Sequence, residues 1–163
     1  MGTGPDNTTM LSQCIPNDCL MIAYDYNNQE PRFYSKEFIS IDPGIYDVSI
    51  GFASGASASM PGGFPPQVRD DAYGLQEVMI DGGIIANNPS LVGRLIAEMK
   101  PAVKNNRKKI RILSLGCGGS PLDPNAEVDP EAYQKLTYIT DIFDWMQEIQ
   151  QVTADWYLGD WAY

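Results

Sequence analysis

The sequence predicts an α/β fold, a mostly parallel β-sheet flanked by helices, and three observations support this prediction. Apolar runs at residues 19–26, 77–80 and 110–115 are typical of buried strands. Segments with helical spacing follow the second and third runs, and this alternation favours crossovers between parallel strands. The three strands are fewer than the roughly four to six of a typical sheet, so the chain is expected to be part of a larger fold.

The first elements lie near the N-terminus. Residues 1–18 are polar and contain Pro and Gly, which predicts a loose lead-in before a domain over residues 19–163. The strand at residues 19–26 is mostly apolar and suits a buried sheet. After a turn at residues 27–31, the short segment 32–34 is expected to return as a hairpin partner.

Less regular sequence follows this hairpin. Residues 45–52 are expected to form a short amphipathic helix, and the small residues, Gly and Pro of 53–66 predict an ordered loop. A second strand at residues 77–80 then ends at Asp81.

A helix is predicted after this strand. Asn88 suits the N-cap and Pro89 the first helical position, and apolar residues repeat at helical spacing until Pro101. The polar residues 105–109 predict a surface turn before the third strand at 110–115.

The last predicted element is a long helix from Glu131 onward. One stripe of this helix is apolar, which predicts core packing. Its polar face is acidic, and anionic lipids would repel it, so a membrane-surface helix is disfavoured. The stripe consists of Leu136, Ile139, Ile142, Phe143, Met146, Ile149 and Val152.

Composition excludes several function classes. The chain has 11 basic and 21 acidic side chains and a net charge of −10, so we expect no nucleic-acid partner. It contains no histidine, which excludes Ser-His-Asp and Cys-His catalysis and His-based metal sites within this chain. We expect no cofactor and no metal. Cys14, Cys19 and Cys117 are too few for a disulfide framework, although Cys14 and Cys19 could pair in a small loop.

The N-terminus lacks the pattern of a signal peptide, and no apolar stretch approaches the roughly 20 residues of a membrane span. The expected location is therefore the cytoplasm, with peripheral contact to membranes as an option.

Asp81, Gly82 and Gly83 form the strongest local motif. A carboxylate just past a buried strand lies where open α/β sheets bind their ligands, and two glycines allow a sharp turn and a close approach. The alternative is that Asp81 only caps this turn.

Other loops are weaker candidates. The segment 116–120 follows a strand but completes neither a dinucleotide fingerprint nor a P-loop, and Cys117 has no histidine to activate it. The basic cluster is expected to be a solvated turn, with contact to anionic headgroups as the alternative. It consists of Lys104, Arg107, Lys108, Lys109 and Arg111.

The motif and its surroundings resemble the patatin-like phospholipases, lipid acyl hydrolases with a Ser-Asp dyad and a three-layer α/β fold. The family's aspartate lies in Asp-Gly-Gly/Ala at a strand end, commonly followed by Asn-Asn-Pro, here residues 87–89. Three further segments follow the family's order. They are the small-residue loop at 57–66 that ends in Phe-Pro-Pro, the strand at 113–118 with Cys117 where Thr is usual, and the late helix around 145–150.

The chain also departs from the family's pattern. It contains no Gly-x-Ser-x-Gly nucleophile elbow and no glycine-rich oxyanion loop, and Gly-Ala-Ser-Ala-Ser at 55–59 lacks the final Gly. The resemblance therefore implies the C-terminal half of a patatin-like domain, without the N-terminal half. It implies that Asp81, with Gly82 and Gly83 as its motif, would be the catalytic base for a serine nucleophile outside this chain.

The leading hypothesis is a lipid acyl hydrolase that degrades a lipid or membrane-surface ester. The missing N-terminal half would be joined in cis or supplied in trans, and the chain alone is expected to be inactive. A truncated, non-catalytic relative that serves as a binding or scaffold subunit is the alternative. A third is an unrelated α/β binding module with a fortuitous Asp-Gly-Gly.

Overall fold

The computed structural model describes residues 9–13, 18–104, 110–115 and 137–159. Its sheet has four strands in the order β2-β1-β4-β3, and each neighbouring pair is antiparallel. The strands are β1 Met21–Asp25, β2 Glu30–Tyr34, β3 Gln67–Asp70 and β4 Gln76–Asp81.

Short helices occupy the connections between and after the strands. A 3-10 turn at Leu11–Gln13 precedes β1. The helices are α1 Lys36–Ile41, α2 Pro43–Tyr46, α3 Ile50–Ser57, α4 Gly83–Ala86, α5 Ser90–Met99, α6 Pro101–Lys104 and α7 Thr137–Gly159. The α/β class is thus confirmed.

The expectation of a mostly parallel sheet is wrong for the residues described. β1 and β2 are joined by a tight turn, as are β3 and β4, where Gly74 has a φ of 80°. Connections this short allow only antiparallel pairing. The two hairpins then meet through β1 and β4, again antiparallel.

The strand expected at residues 110–115 is absent, although the segment lies within the described residues. Residues 111–115 are exposed, Leu113 by 82% and Leu115 by 84%, and Ile110 is half-buried. Within the described residues, therefore, no strand returns to the sheet after α5. The predicted turn at 105–109 lies outside the described residues.

The predicted helix at 45–52 is divided in the structure, because α2 ends at Tyr46 and α3 begins at Ile50, and α3 continues through residues 53–57 of the predicted loop at 53–66. Ser49 caps it, because the Ser49 hydroxyl accepts a hydrogen bond from the Phe52 amide at 3.1 Å. Ala53 and Ala56 are fully buried against the sheet. Because these side chains are small, α3 can approach the strands closely. This close packing lets α3 contribute to the core without large apolar residues at these positions.

The core lies between α3 and one face of the sheet. Leu11, from the segment before the strands, is buried in it and its amide donates to the Val48 carbonyl at 2.9 Å. The fully or almost fully buried members of this cluster are Leu11, Ala23, Tyr34, Val48, Ala53, Ala56 and Met79.

Helix α5 begins one residue later than predicted, because Pro89 is its N-cap and Ser90 its first residue. Asn88 therefore precedes the N-cap, and its side chain accepts a hydrogen bond from the Ser90 amide at 3.0 Å. The predicted core stripe of the last helix is wrong where its side chains are described. Met146, Ile149 and Val152 are 45%, 64% and 61% exposed. α7 packs on α4 and α5 through Gln150 and Ala154, so the apolar stripe is turned away from that contact.

Residues 131–136, where this helix was expected to begin, lie outside the described part of the chain. In the part that is described, no helix has the length and apolar character needed to cross a bilayer.

Candidate active site

The central feature of the site is Asp81, the last residue of β4, which pairs with Ala23 of β1. Its amide donates to the Ser59 carbonyl at 3.1 Å, which fixes the strand end against the segment that follows α3. The side chain is half-buried. The carboxylate therefore lies at the end of a strand that is hydrogen-bonded on both sides.

The carboxylate also makes the turn predicted by the alternative interpretation. Its Oδ1 accepts a hydrogen bond from the Gly83 amide at 2.6 Å. Among the ion pairs of the described residues, none involves Asp81. One oxygen thus caps the turn, and no described cation neutralises the group.

The two glycines differ in how strongly the structure requires them. A Cβ on Gly82 would lie 2.0 Å from the Ile22 carbonyl oxygen, which is a backbone clash. A Cβ on Gly83 would lie 3.1 Å from Asp81 Oδ1, an atom that can move. Gly82 is therefore needed for the close approach of the turn to β1, while Gly83 keeps space beside the carboxylate.

Asp81 opens onto a cleft of about 260 Å³. The cleft is bounded by the start of β1, the end of α3, the Asp-Gly-Gly turn and the loop before α5. Its lining residues are Leu20, Met21, Ile22, Ser57, Asp81, Gly82, Gly83, Ala86, Asn87 and Pro89. The structure thus brings the predicted residues Asp81, Gly82 and Gly83 together in one concave surface.

Sequence reasoning did not place Ser57 in this cleft. Ser57 is the last residue of α3, within the 55–59 segment that lacks the final glycine of a nucleophile elbow. The segment leaves a helix rather than joining a strand to one. Ser57 is therefore a hydroxyl at the cleft without the geometry of an elbow.

Helix α7 supports the loop beside Asp81. The Asn87 amide donates to Gln150 Oε1 at 2.8 Å, and Gln150 Nε2 donates to the Ile84 carbonyl at 2.9 Å. One residue on, Asn88 Nδ2 donates to Asp155 Oδ1 at 3.2 Å. These partners are more than 60 residues apart, and no local pattern in the sequence indicated them.

Most of the weaker candidates from the sequence lie either outside the described residues or at exposed positions. The loop at 116–120, Cys117 and Cys14 lie outside the described residues, while Cys19 is exposed ahead of β1. Of the basic cluster, only Arg111 has a described side chain, and it is exposed. Within the described ranges, no group of three or more His, Cys, Asp or Glu residues could hold a metal ion.

A cluster of charged side chains lies around the end of β4 opposite Asp81. Arg32 bonds Asp25 at 3.0 Å and Glu77 at 3.0 Å, and also pairs with Glu30. Arg69 donates to the second oxygen of Glu77 at 2.6 Å. Asp25 and Glu77 are fully buried. We call these five residues the buried charge cluster.

The cluster shifts the ionisation of its members. Burial would lower the pKa of Arg32, but hydrogen bonds to Glu30 and Glu77 outweigh it and hold the pKa above its ordinary value. Burial raises the pKa of the nearby Tyr34 hydroxyl, and the charge of Glu77 adds to the effect. This hydroxyl has no hydrogen-bond partner among the described residues. Arg32 of β2 and Arg69 of β3 both pair with Glu77 of β4, so the cluster joins three strands.

Comparison with known proteins identifies relatives of the chain. It is 30% identical to Patatin-like protein 1 of Arabidopsis thaliana over 112 residues. This aligned region covers 66% of this chain and 26% of that protein. The chain is 26% identical over 125 residues to Patatin-like protein 4 of the same plant, covering 69% and 30%. It is 39% identical over 82 residues to the cUMP-AMP-activated phospholipase of Escherichia coli, covering 50% and 25%.

The chain thus spans 25 to 30% of the length of these relatives. No family profile matches the sequence.

Proposed function

Because the chain is a relative of the patatin-like proteins, we propose that it is the aspartate-bearing part of a lipid acyl hydrolase. Asp81 would be the catalytic base, and the nucleophilic serine would come from sequence outside this chain, in cis or in trans. The substrate class is a carboxylic ester of a lipid.

One observation carries the proposal. Asp81 lies half-buried at a strand end, opens onto a cleft, and has a single backbone amide as the hydrogen-bond donor to its carboxylate in the described residues. Asp25 and Glu77 of the buried charge cluster are, by contrast, matched by cations. The turn holds one oxygen of Asp81, and among the described residues no hydrogen bond to the other oxygen is present.

The mechanism follows from a base that is not histidine. The serine attacks the ester carbonyl while its proton passes to Asp81, and Asp81 gives this proton to the departing alcohol as the acyl-enzyme forms. Water then attacks the acyl group, and Asp81 accepts its proton and passes it to the serine oxygen as the carboxylic acid leaves. Backbone amides outside this chain would stabilise the oxyanion, and the loss of one such donor typically costs about 10²–10³ in rate.

The test compares the chain alone with the native protein from its source. We expect the 163-residue chain to hydrolyse no short-chain nitrophenyl ester. We expect the native protein to have a larger mass and to hydrolyse the ester. Asp81→Asn should abolish this turnover in the native protein, because the amide cannot accept the proton.

Ser57→Ala is the matched control, since Ser57 lines the same cleft as Asp81. This variant should keep its activity if the nucleophile lies elsewhere. Loss of turnover in Ser57→Ala, or turnover by the chain alone, would place the nucleophile in this chain and contradict the proposal. Activity that survives Asp81→Asn would contradict the role of Asp81.

The absence of a Gly-x-Ser-x-Gly elbow favours a second candidate, a non-catalytic binding or scaffold subunit. A native mass equal to that of the 163-residue chain, with no turnover in any complex that it forms, would favour this alternative.

A further inference from the structure

A protruding turn stands beside the cleft and has no role in the proposed chemistry. Residues 60–66 are all exposed, and we call them the 60–66 tip. Met60 is 48% and Phe64 67% exposed. The neighbouring Ser59 is buried, and its hydroxyl donates to the Gly55 carbonyl at 2.6 Å. The base of the tip is therefore fixed, while its apolar side chains face solvent.

The tip is an ordered structure. The amides of Gly63 and Phe64 donate to the Met60 carbonyl at 3.0 and 2.9 Å, which closes the turn. Gly62 has a φ of 86°, and a Cβ there would meet nothing within 4 Å, so it stands in open space. Three prolines in the tip further restrict the backbone. Insertion of such a turn into another phase costs little conformational entropy, because the turn is already formed.

The position of the tip connects it to the site. The Ser59 carbonyl, one residue before the tip, accepts the hydrogen bond from the Asp81 amide at 3.1 Å. Ser57, two residues earlier, lines the cleft. The base of the tip therefore adjoins both the strand end that carries Asp81 and the wall of the cleft.

Charge indicates the kind of surface. The sequence from Val48 to Val68 contains no charged side chain, in a chain with a net charge of −10. An anionic surface would repel the molecule as a whole, whereas a zwitterionic surface carries no net charge to oppose it. An uncharged apolar turn suits the interface of a zwitterionic bilayer, where Phe and Met side chains can leave water.

We propose that the 60–66 tip docks on a zwitterionic lipid surface and thereby brings the Asp81 cleft to its ester substrate. The inference rests on the proposed function for the substrate, but the docking itself requires no turnover. It assigns Phe64 and Met60 as the side chains that enter the lipid interface.

Flotation of the 163-residue chain with phosphatidylcholine vesicles tests the docking. We expect the chain to float, and Phe64→Ser to weaken the partitioning about tenfold, because a mostly exposed aromatic ring would otherwise be removed from water. Adding Met60→Ser should weaken it further. Vesicles that also contain phosphatidylserine should bind the chain less well at low salt. This binding should increase again at higher salt, because salt screens the repulsion between the acidic chain and the anionic lipid.

The matched control is Leu75→Ser. Leu75 is 60% exposed and lies in the turn between β3 and β4, at the opposite end of β4 from Asp81. This variant should float like the unmodified chain. Equal losses in Leu75→Ser and Phe64→Ser, absence of flotation, or stronger binding to anionic vesicles would each overturn the inference.

Two further results keep this inference apart from others. If Phe64→Ser changes the size of the particle in gel filtration and leaves flotation unaltered, the tip is a protein interface and the lipid proposal is wrong. If the chain floats through its tip but the native protein hydrolyses no ester, the proposed function alone is overturned. If the native protein hydrolyses the ester but Phe64→Ser does not change flotation, the docking alone is overturned.

Discussion

Strand β4 carries two carboxylates whose surroundings are opposite. Glu77 at its start is fully buried between Arg32 and Arg69, with distances of 3.0 and 2.6 Å. Asp81 at its end is half-buried and accepts one backbone hydrogen bond. Strand alternation places both on the same face, about 13 Å apart at roughly 3.3 Å per residue.

The difference distinguishes Glu77, which holds strands together, from Asp81, which we propose acts in the chemistry. Glu77 has two cations, and these in turn connect β2 and β3 to β4. Asp81 has no such partner in the described residues, and the space beside it is kept open by Gly83. The two carboxylates of β4 thus differ in their partners, and this difference supports the proposed role of Asp81.

The largest expected effect is that of Glu77→Gln, which removes one charge from the buried charge cluster and leaves two arginines without it. Arg32 keeps Asp25 and Glu30, but Arg69 loses the carboxylate with which it pairs among the described residues. Breaking a buried ion pair so that one charge loses its partner costs about 3–5 kcal/mol. We expect the free energy of unfolding of the chain to fall by about that amount, measured by urea denaturation with far-UV circular dichroism.

Glu30→Gln is the control for this prediction. The Glu30 side chain is 52% exposed, so its ion pair with Arg32 is screened by water and should contribute under about 1 kcal/mol. If the two substitutions had equal effects, burial would not be what distinguishes Glu77, and the comparison with Asp81 would lose its basis.

The second effect concerns the turn that presents Asp81. Gly82→Ala would put a Cβ 2.0 Å from the Ile22 carbonyl oxygen, and the backbone would have to shift. Overpacking of this kind typically costs about 1–3 kcal/mol. Gly83→Ala should cost less in unfolding free energy, because its nearest neighbour is the movable Asp81 carboxylate. The reverse order would contradict the close approach of the turn to β1.

The sequence predicted the elements whose signals are local. The apolar runs predicted β1 and β4, and the polar turn after β1 with residues 32–34 predicted the β1–β2 hairpin. Asn88 and Pro89 predicted the start of α5 to within one residue. Asp81 was identified because a carboxylate follows a buried strand, and the structure places it at a cleft.

The features that were missed depend on non-local contacts or on weak local signals. β3 reads Gln-Val-Arg-Asp, a polar edge strand whose pairing with β4 supplies what its composition lacks. α3 is built of small residues, which give no amphipathic period, and its stability comes from packing on the sheet. The pairing of β4 with β1 and the contacts of Gln150 with the site depend on residues distant in sequence.

The smallest expected effect on stability is that of Asp81→Asn, the same chemical change as Glu77→Gln at the other end of β4. An asparagine keeps an oxygen that can accept the Gly83 amide, and no described cation loses its partner. We therefore expect the free energy of unfolding to change by less than about 0.5 kcal/mol. The measurement is the same urea titration, with Glu77→Gln as the reference for a structural carboxylate. A loss as large as that of Glu77→Gln would mean that Asp81 holds the fold, and the loss of hydrolysis in Asp81→Asn could then be explained by unfolding. A change near zero would leave chemistry as the explanation, because a folded protein that differs only in one proton acceptor would have lost its turnover.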